Sequence, residues 1–275
     1  MAARRQLKRS IISYTIALVA VTLSIFPIFW ILSIALKTEI DAFAMPPVWV
    51  FDPIWGNFQR AWTSSGFSSA FMNSAIICVV ANVMALAVGI PAAYALNQRV
   101  SPGKTAVLVW LLIAYMLPEF LFVIPVYLLY QEIGLYDTLL GLAIVYQIFT
   151  IPFTVWLLRS FFAEVPTALA EAARLEGAST WQIIWKIYVP ISAPGIAATV
   201  ILNSIKIWNE LSIALALTFD NAETVTLAVA GFRGYASIDW GAMSAAAIIA
   251  IVPMALFAIL AQRHIVQGLS LGSVK

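Results

Sequence analysis

Residues 11–36 contain no charged side chain, and four basic residues stand immediately before them in MAARRQLKRS. At a helical rise of about 1.5 Å per residue such a run exceeds the roughly 30 Å hydrocarbon core of a bilayer. A cleavable leader has an apolar stretch of only about 7–15 residues. No small-x-small site closes this run, so it is expected to be an uncleaved first membrane helix. The rest of the chain repeats the theme. Hydrophobic residues make up 63% of the 275 and charged residues only 10%, against about 25% charged in an ordinary soluble domain. A polar coat cannot be assembled from that composition, so the solvent for most of this surface is lipid.

Six segments are long and apolar enough to cross, at about 11–36, 70–96, 105–129, 139–158, 191–217 and 240–260. Prolines interrupt several of them, at Pro27, Pro91, Pro118, Pro125, Pro152 and Pro253. Packed membrane helices re-satisfy the backbone groups that a proline frees. No ten-residue alternation points to a barrel. The expected fold is an all-α polytopic membrane protein, a single transmembrane domain over 1–275.

Lysine and arginine placement orients the spans. With the N-terminus in the cytoplasm, eleven basic residues fall inside: Arg4, Arg5, Lys8, Arg9, Arg99, Lys104, Arg159, Arg174, Lys186, Arg263 and Lys275. Only Lys37, Arg60 and Arg233 fall outside. Both termini are therefore expected in the cytoplasm. The outer stretch 37–69 holds Pro46, Pro47, Pro53, Trp49, Trp55 and Trp62, which suits either a loop at the headgroups or a docking surface for an external protein. Gly89 and Gly241 are expected where helices approach closely, and Met84, Met116, Met243 and Met254 as packing residues.

The longest inner connection, about 160–190, contains the most polar decade of the chain, EAARLEGAST at 171–180. ALAEAARLE favours a helix by propensity. Gly177 follows as a left-handed stop, and Ser179 with Gln182 forms the pattern of a capping box. A second helix, WQIIWKIYV, is expected to end at Pro190. The result is a helix–Gly–helix knob on the cytoplasmic face. An amphipathic linker lying on the bilayer suits the second helix, with Trp181, Ile184, Trp185 and Tyr188. It suits the first poorly, because Glu171, Arg174 and Glu176 make that helix polar.

Three ionisable residues fall inside spans, Glu119, Lys206 and Glu210. Each costs about 2.5–3.5 kcal/mol at a lipid-exposed bilayer centre on insertion scales, so each is expected to face protein or a wet cavity. Lys206 and Glu210 are spaced to pair on one helix. Asn203 lies one turn earlier and Asn209 just off the stripe, next to Trp208. The stripe either lines a polar path through the membrane or forms a seam against a second subunit. Lys206 and Glu119 could also pair across spans.

The pattern Glu171-Ala172-Ala173, then Gly177 and Ala178, then Pro190 and Pro194, resembles the EAA loop of binding-protein-dependent ABC importer permeases. SIALKTE, NSAI, IPAAYAL, GLYDTLLGL, WLLRSFFAEVP, IKIWNEL, DWGAMSAAA and QRHIVQGLSLGSVK extend the likeness, in order, to the six-span subunit of the maltose-type carbohydrate permeases. That resemblance implies a multi-pass protein of a prokaryotic plasma (inner) membrane. It implies a homologous second permease, a cytoplasmic ATPase dimer and an extracytoplasmic solute-binding protein as partners. Glu171, Ala172, Ala173, Gly177 and Ala178 would couple to the ATPase. Lys206 and Glu119 depart from the family pattern, which usually carries smaller or neutral residues there.

The chain contains no GxxxxGK[ST] phosphate loop, so ATP and Mg are expected on the partner ATPase and no cofactor on this chain. No nucleic-acid partner is indicated. A self-sufficient carrier driven by an ion gradient, with Glu119 or Glu210 as proton relay, is the alternative, and it has no use for an ATPase knob. An intramembrane enzyme is disfavoured by a single cysteine, Cys78, a single histidine, His264, and no paired carboxylates on neighbouring turns.

Overall fold

The computed structural model describes the backbone of residues 2–63, 66–97, 103–232 and 238–271, with side chains from residue 12 to 260 within those ranges. Arg99, Arg233 and the tail with His264 and Lys275 lie outside the described residues or side chains, as do the side chains of the basic N-terminal residues. Among the described residues every regular element longer than a bridge is helical.

The chain divides into two compact units. The first comprises residues 1–68 and 229–251. It contains α1 (Ala2–Ala35), the short α2 (Glu39–Ala42), α3 (Gly56–Thr63) and the beginnings of two long helices, α4 (Phe67–Asn97) and α15 (Trp240–Leu271). The last turn of α1 leaves carbonyls without helical partners. Asn57 of α3, itself buried, donates its amide to the carbonyls of Ala35 and Lys37 at 2.9 Å each. Gly241 brings α15 against this clamp, since a Cβ there would stand 2.7 Å from Asn57 Oδ1. Asp239 caps α15 by accepting from the Ala242 amide.

The second unit, residues 69–228 and 252–275, holds most of α4 and then α5 (Lys104–Met116), α6 (Phe120–Ile133), α7 (Leu139–Val145) and α8 (Gln147–Ala163). Next come α9 (Thr167–Leu175), α10 (Thr180–Ile183), a π-helical turn at Ile184–Tyr188, α11 (Val189–Ile191), α12 (Ala193–Asn209), α13 (Ser212–Leu217) and α14 (Val225–Gly231). Two close contacts through glycine set the packing on α8. A Cβ at Gly89 of α4 would lie 2.4 Å from the Thr154 methyl, and one at Gly195 of α12 would lie 2.3 Å from the Phe161 ring. One apolar core gathers Ile77, Tyr130, Leu142, Tyr146, Phe149, Ile213 and Leu217. A second gathers Ile90, Tyr94, Leu158, Phe162, Ile183 and Tyr188.

Three helices, Ile12–Ala35, Phe67–Asn97 and Trp240–Leu260, are each long and apolar enough to cross a membrane unaided. Among the described residues three bent pairs, each counted as one span, raise the number to as many as six. The straight third span expected at 105–129 is instead α5 and α6, bent by 90°. Pro118 supplies the reason: it disfavours helical backbone at Leu117, which turns extended at ψ 134°. The fourth breaks by 48° between α7 and α8. The fifth does not run unbroken over 191–217, because α12 stops at Asn209 and Glu210 is extended at ψ 128°. The loop at 160–190 also begins later than expected, since α8 continues to Ala163.

Candidate functional site

The segment after α8 is built as a rigid knob. Pro166 precedes α9, and α9 ends in a Schellman motif: the Ala178 amide reaches the Ala173 carbonyl at 2.9 Å and the Gly177 amide the Arg174 carbonyl at 3.0 Å. Gly177 takes the left-handed conformation this requires, at φ +85°. Ser179 then caps α10 in a capping box, its hydroxyl accepting from the Gln182 amide and the Gln182 side chain accepting from the Ser179 amide. Two helix ends and a two-residue turn thus satisfy most of their own backbone groups without help from a partner.

The second helix does not stop at Pro190 as expected. It widens into the π turn at Ile184–Tyr188 and passes through the proline to Ile191. A proline ring crowds the carbonyl four residues earlier, here that of Lys186, and the wider turn relieves this crowding. From there the chain bends by 78° into α12.

Side chains fasten the knob to the spans. Arg174 donates to the Tyr94 hydroxyl at 3.0 Å. Tyr94 meets the Tyr188 ring edge-on at 4.9 Å, and Phe162 meets it at 5.3 Å. Asn97, at the end of α4, donates to the Phe162 carbonyl. Ala170 is buried, and Ala173 and Ala178 pack against the same apolar core. The opposite face is open: Glu171, Ala172, Glu176 and Gly177 are exposed, and Leu175 is 91% exposed. Of the five expected coupling residues, Glu171, Ala172 and Gly177 therefore face out, while Ala173 and Ala178 anchor the turn. Arg174 and Tyr94 were missed as anchors, although IPAAYAL carries Tyr94.

The intramembrane polar residues are arranged differently from the expected stripe. Lys206 does not pair with Glu210. It pairs from α12 with Glu119, which lies in the α5–α6 break, at 3.1 Å, and its ammonium lies 4.3 Å from the Phe149 ring centroid and 4.8 Å from that of Tyr115. Glu210 leaves the helix instead and caps α13. Its carboxylate accepts from the amides of Ile213 at 2.7 Å and Ala214 at 3.0 Å, and from the Tyr146 hydroxyl at 2.9 Å. A carboxylate that takes over the amides of the next helix ends the previous one. The i, i+4 rule failed here because it presumes an unbroken helix.

Asn203 is 1% exposed and donates to Thr154. Trp208, at 4% exposure, stands edge-on to Phe71 at 5.3 Å, so neither its face nor Asn203 is presented to a passing solute. Asn209 remains exposed, donating to the Ile205 carbonyl. What stays accessible is the Lys206–Glu119 pair, each side chain about a third exposed, with Asn209 near the end of α12.

A further anchor lies between α6 and α7. Asp137, at φ +55°, accepts from the amides of Phe219, Asp220, Asn221 and Ala222 and from the Asn221 side chain. Partial burial works to raise this carboxyl, but the hydrogen bonds outweigh it and hold it at about 2, below the usual 3.8. The linker from α13 to α14 is wrapped around this one side chain. Among the described residues no group of His, Cys, Asp and Glu is placed to hold a metal ion.

Comparison with known proteins agrees with this architecture. The chain is 39% identical over 251 residues to the "Probable ABC transporter permease protein y4oR" of Sinorhizobium fredii, covering 91% of this chain and 90% of that one. It is 36% identical to the trehalose transport system permease protein SugB of Mycobacterium tuberculosis, over 92% of this chain and 93% of the relative. The trehalose/maltose transport system permease protein MalG of Thermococcus litoralis is 29% identical over 99% of both chains. In fold, the chain resembles a chain of a bacterial ABC transporter involved in the import of the acidic polysaccharide alginate, with a TM-score of 0.79, 20% identity, and 94% and 97% coverage. Residues 85–271 match the binding-protein-dependent transport system inner membrane component family, and this stretch takes in the knob and the polar centre alike. The chain is a multi-pass, non-enzymatic membrane subunit and belongs to that family of ABC transporter permeases.

Proposed function

We propose that this chain is the permease subunit of an ATP-driven importer for a carbohydrate-type solute, a sugar, oligosaccharide, polyol or sugar phosphate. The trehalose and maltose transport named for its relatives supports that solute class. Its partners are a homologous second permease, an ATPase dimer that carries ATP and Mg, and an extracytoplasmic solute-binding protein. Both termini and the knob lie on the cytoplasmic side, in accord with the eleven-to-three bias of basic residues.

The observation that carries the coupling role is a self-capped knob whose open face presents Glu171, Ala172 and Leu175 while its other face is hydrogen-bonded to α4 and packed against α8. Inserted in a groove of the ATPase, with Glu171 meeting a basic residue, it would transmit closure of the ATPase as a rigid lever. A pull on α9 acts on α4 and α8 through Tyr94, Tyr188 and Phe162, and on α12 through α11. That is the rigid-body rocking alternating access requires. A carrier with its own proton relay is disfavoured by the engagement of both candidate carboxylates, Glu119 with Lys206 and Glu210 with α13. Lys206, Glu119 and Asn209 line the solute path, and Asn203 and Trp208 support it from behind.

Cysteine placed at Ala172 in the assembled transporter should crosslink to the ATPase subunit, and the yield should change with nucleotide. A fully assembled complex that gives no crosslink would refute the coupling role. Uptake that persists without the ATPase would refute the importer itself.

A further inference from the structure

Lys37 follows α1 and has no part in coupling or in the polar centre. It is 4% exposed, and its ammonium lies 4.7 Å from the Phe51 ring centroid and 5.6 Å from that of Trp30. All thirteen Asp and Glu side chains of the sequence are described, and none of them forms an ion pair with this ammonium. Two aromatic faces offset part of the cost of removing a cation from water. They supply no acceptor for its three N–H groups.

The same lysine lines a cavity of about 230 Å³ in the first unit, together with Glu39, Phe43, Arg60, Asp239 and Trp240. Arg60 donates through Nε to Asp239 at 3.3 Å and through Nη2 to Asn57, and its side chain is 56% exposed, which leaves the other guanidinium edge open. Asp239 is also occupied by the Ala242 amide. Two cations with spare donors therefore meet in one cavity, and the carboxylate best placed there is already shared. A carboxylate would complete this arrangement, because a neutral hydroxyl supplies an acceptor but no charge for a desolvated ammonium.

Volume and surroundings identify what carries that carboxylate. The cavity holds one side chain, not an oligosaccharide. The segment that follows Lys37 carries exposed apolar residues, Ile40, Met45, Val50 and Trp55. A charged socket in a segment that also exposes apolar and aromatic side chains is the layout of a protein–protein hot spot, not of a free-anion site. Exposed Glu39 adds a contact of opposite sign. The distribution of basic residues places this end of α1 on the extracytoplasmic side.

We propose that the Lys37–Arg60 cavity is a socket for an acidic side chain of the solute-binding protein, with Lys37 as its buried counter-ion and Arg60 at its mouth; this rests on the importer function proposed above. The test uses the complete transporter in neutral phosphatidylcholine vesicles, with ATP hydrolysis followed against the concentration of its solute-binding protein. Lys37→Met should raise the half-saturating concentration at least about 10-fold, since losing one partner of a buried charge pair weakens association strongly. Lys37→Arg should stay within about 3-fold of the unmodified protein. Salt should weaken binding less in Lys37→Met than in the unmodified transporter.

A single Asp or Glu to Lys change in the binding protein should restore stimulation of Lys37→Glu while impairing the unmodified permease, and this swap decides the matter if Lys37→Met folds poorly. Unshifted half-saturation in both Lys37→Met and Lys37→Glu overturns the socket. A shift seen only with anionic lipid overturns it too, and assigns the cavity to a headgroup. An unmodified, assembled transporter that the binding protein fails to stimulate overturns the importer function, and the socket with it.

Discussion

Replacing Glu210 distinguishes a structural cap from a solute ligand. The side chain is 6% exposed and accepts three hydrogen bonds, from the amides of Ile213 and Ala214 and from the Tyr146 hydroxyl. Glu210→Ala strands three buried donors, each costing about 1–3 kcal/mol when left unsatisfied. The sum, about 3–9 kcal/mol, is comparable with the whole stability of a typical domain. Water entering the cavity left by the side chain would lower that figure, so the lower half is the working expectation.

Glu210→Gln keeps one acceptor oxygen. Its new amide group can donate to the Tyr146 oxygen, because a hydroxyl is both donor and acceptor. Only one backbone amide is then stranded, and the loss falls to about 1–3 kcal/mol. Tyr146→Phe removes a single bond to an ionised group, about 1.5–3 kcal/mol. Thermal unfolding of the detergent-solubilised transporter should rank Glu210→Ala well below Glu210→Gln and Tyr146→Phe, with those two close together. The double variant Glu210→Gln/Tyr146→Phe should be non-additive, since the two residues share one hydrogen bond. A Glu210→Ala transporter with unchanged melting and selectively lost uptake would refute the cap and return Glu210 to the solute path.

Four further outcomes follow from the same geometry. Gly177→Ala meets no atom within 4 Å but must hold φ +85°, which costs about 1–2 kcal/mol; ATPase association should weaken about 5- to 30-fold, and undiminished association would show the turn to be dispensable. Lys206→Met should destabilise by about 1–3 kcal/mol, discounted for partial exposure, and Glu119→Gln in the same protein should recover much of it; a double variant no better than the single one would mean that the pair is not coupled, and unchanged uptake by a well-assembled Lys206→Met transporter would remove Lys206 from the path. Asp137 has a depressed carboxyl, so its contribution is present above about pH 3.8 and is lost as pH falls toward about 2; after allowance for solvent this amounts to about 1 kcal/mol, and Asp137→Asn should remove that acid-side dependence in melting curves. Gly195→Ala drives a methyl to within 2.3–2.7 Å of the Phe161 ring and should cost about 1–3 kcal/mol by overpacking, which unfolding midpoints would reveal.

Local features of the knob were legible because their causes are local. Gly177 stops α9 and Ser179–Gln182 caps α10 through contacts among residues no more than five apart, so propensity and spacing suffice. The same holds for Gly89 and Gly241, where the lack of a side chain signals close approach and the structure supplies Thr154 and Asn57 as the neighbours. The polar centre was not legible in this way. Asn203, Lys206 and Glu210 are neighbours on an ideal helix, yet α12 ends one residue before Glu210, and no proline or glycine marks the break.

By itself the sequence determined the lipid solvent, the number of apolar segments, the expected orientation and the shape of the knob, because each follows from composition, charge count or contacts within one turn of helix. Tertiary structure alone decided that Lys206 takes Glu119 and that Glu210 takes Tyr146, partners 87 and 64 residues away. It also decided that Trp208 is packed against Phe71 and that Lys37 is buried without a carboxylate. In an apolar interior an ionisable group takes whichever partner the folded helices bring within reach, and spacing along the chain does not encode that distance.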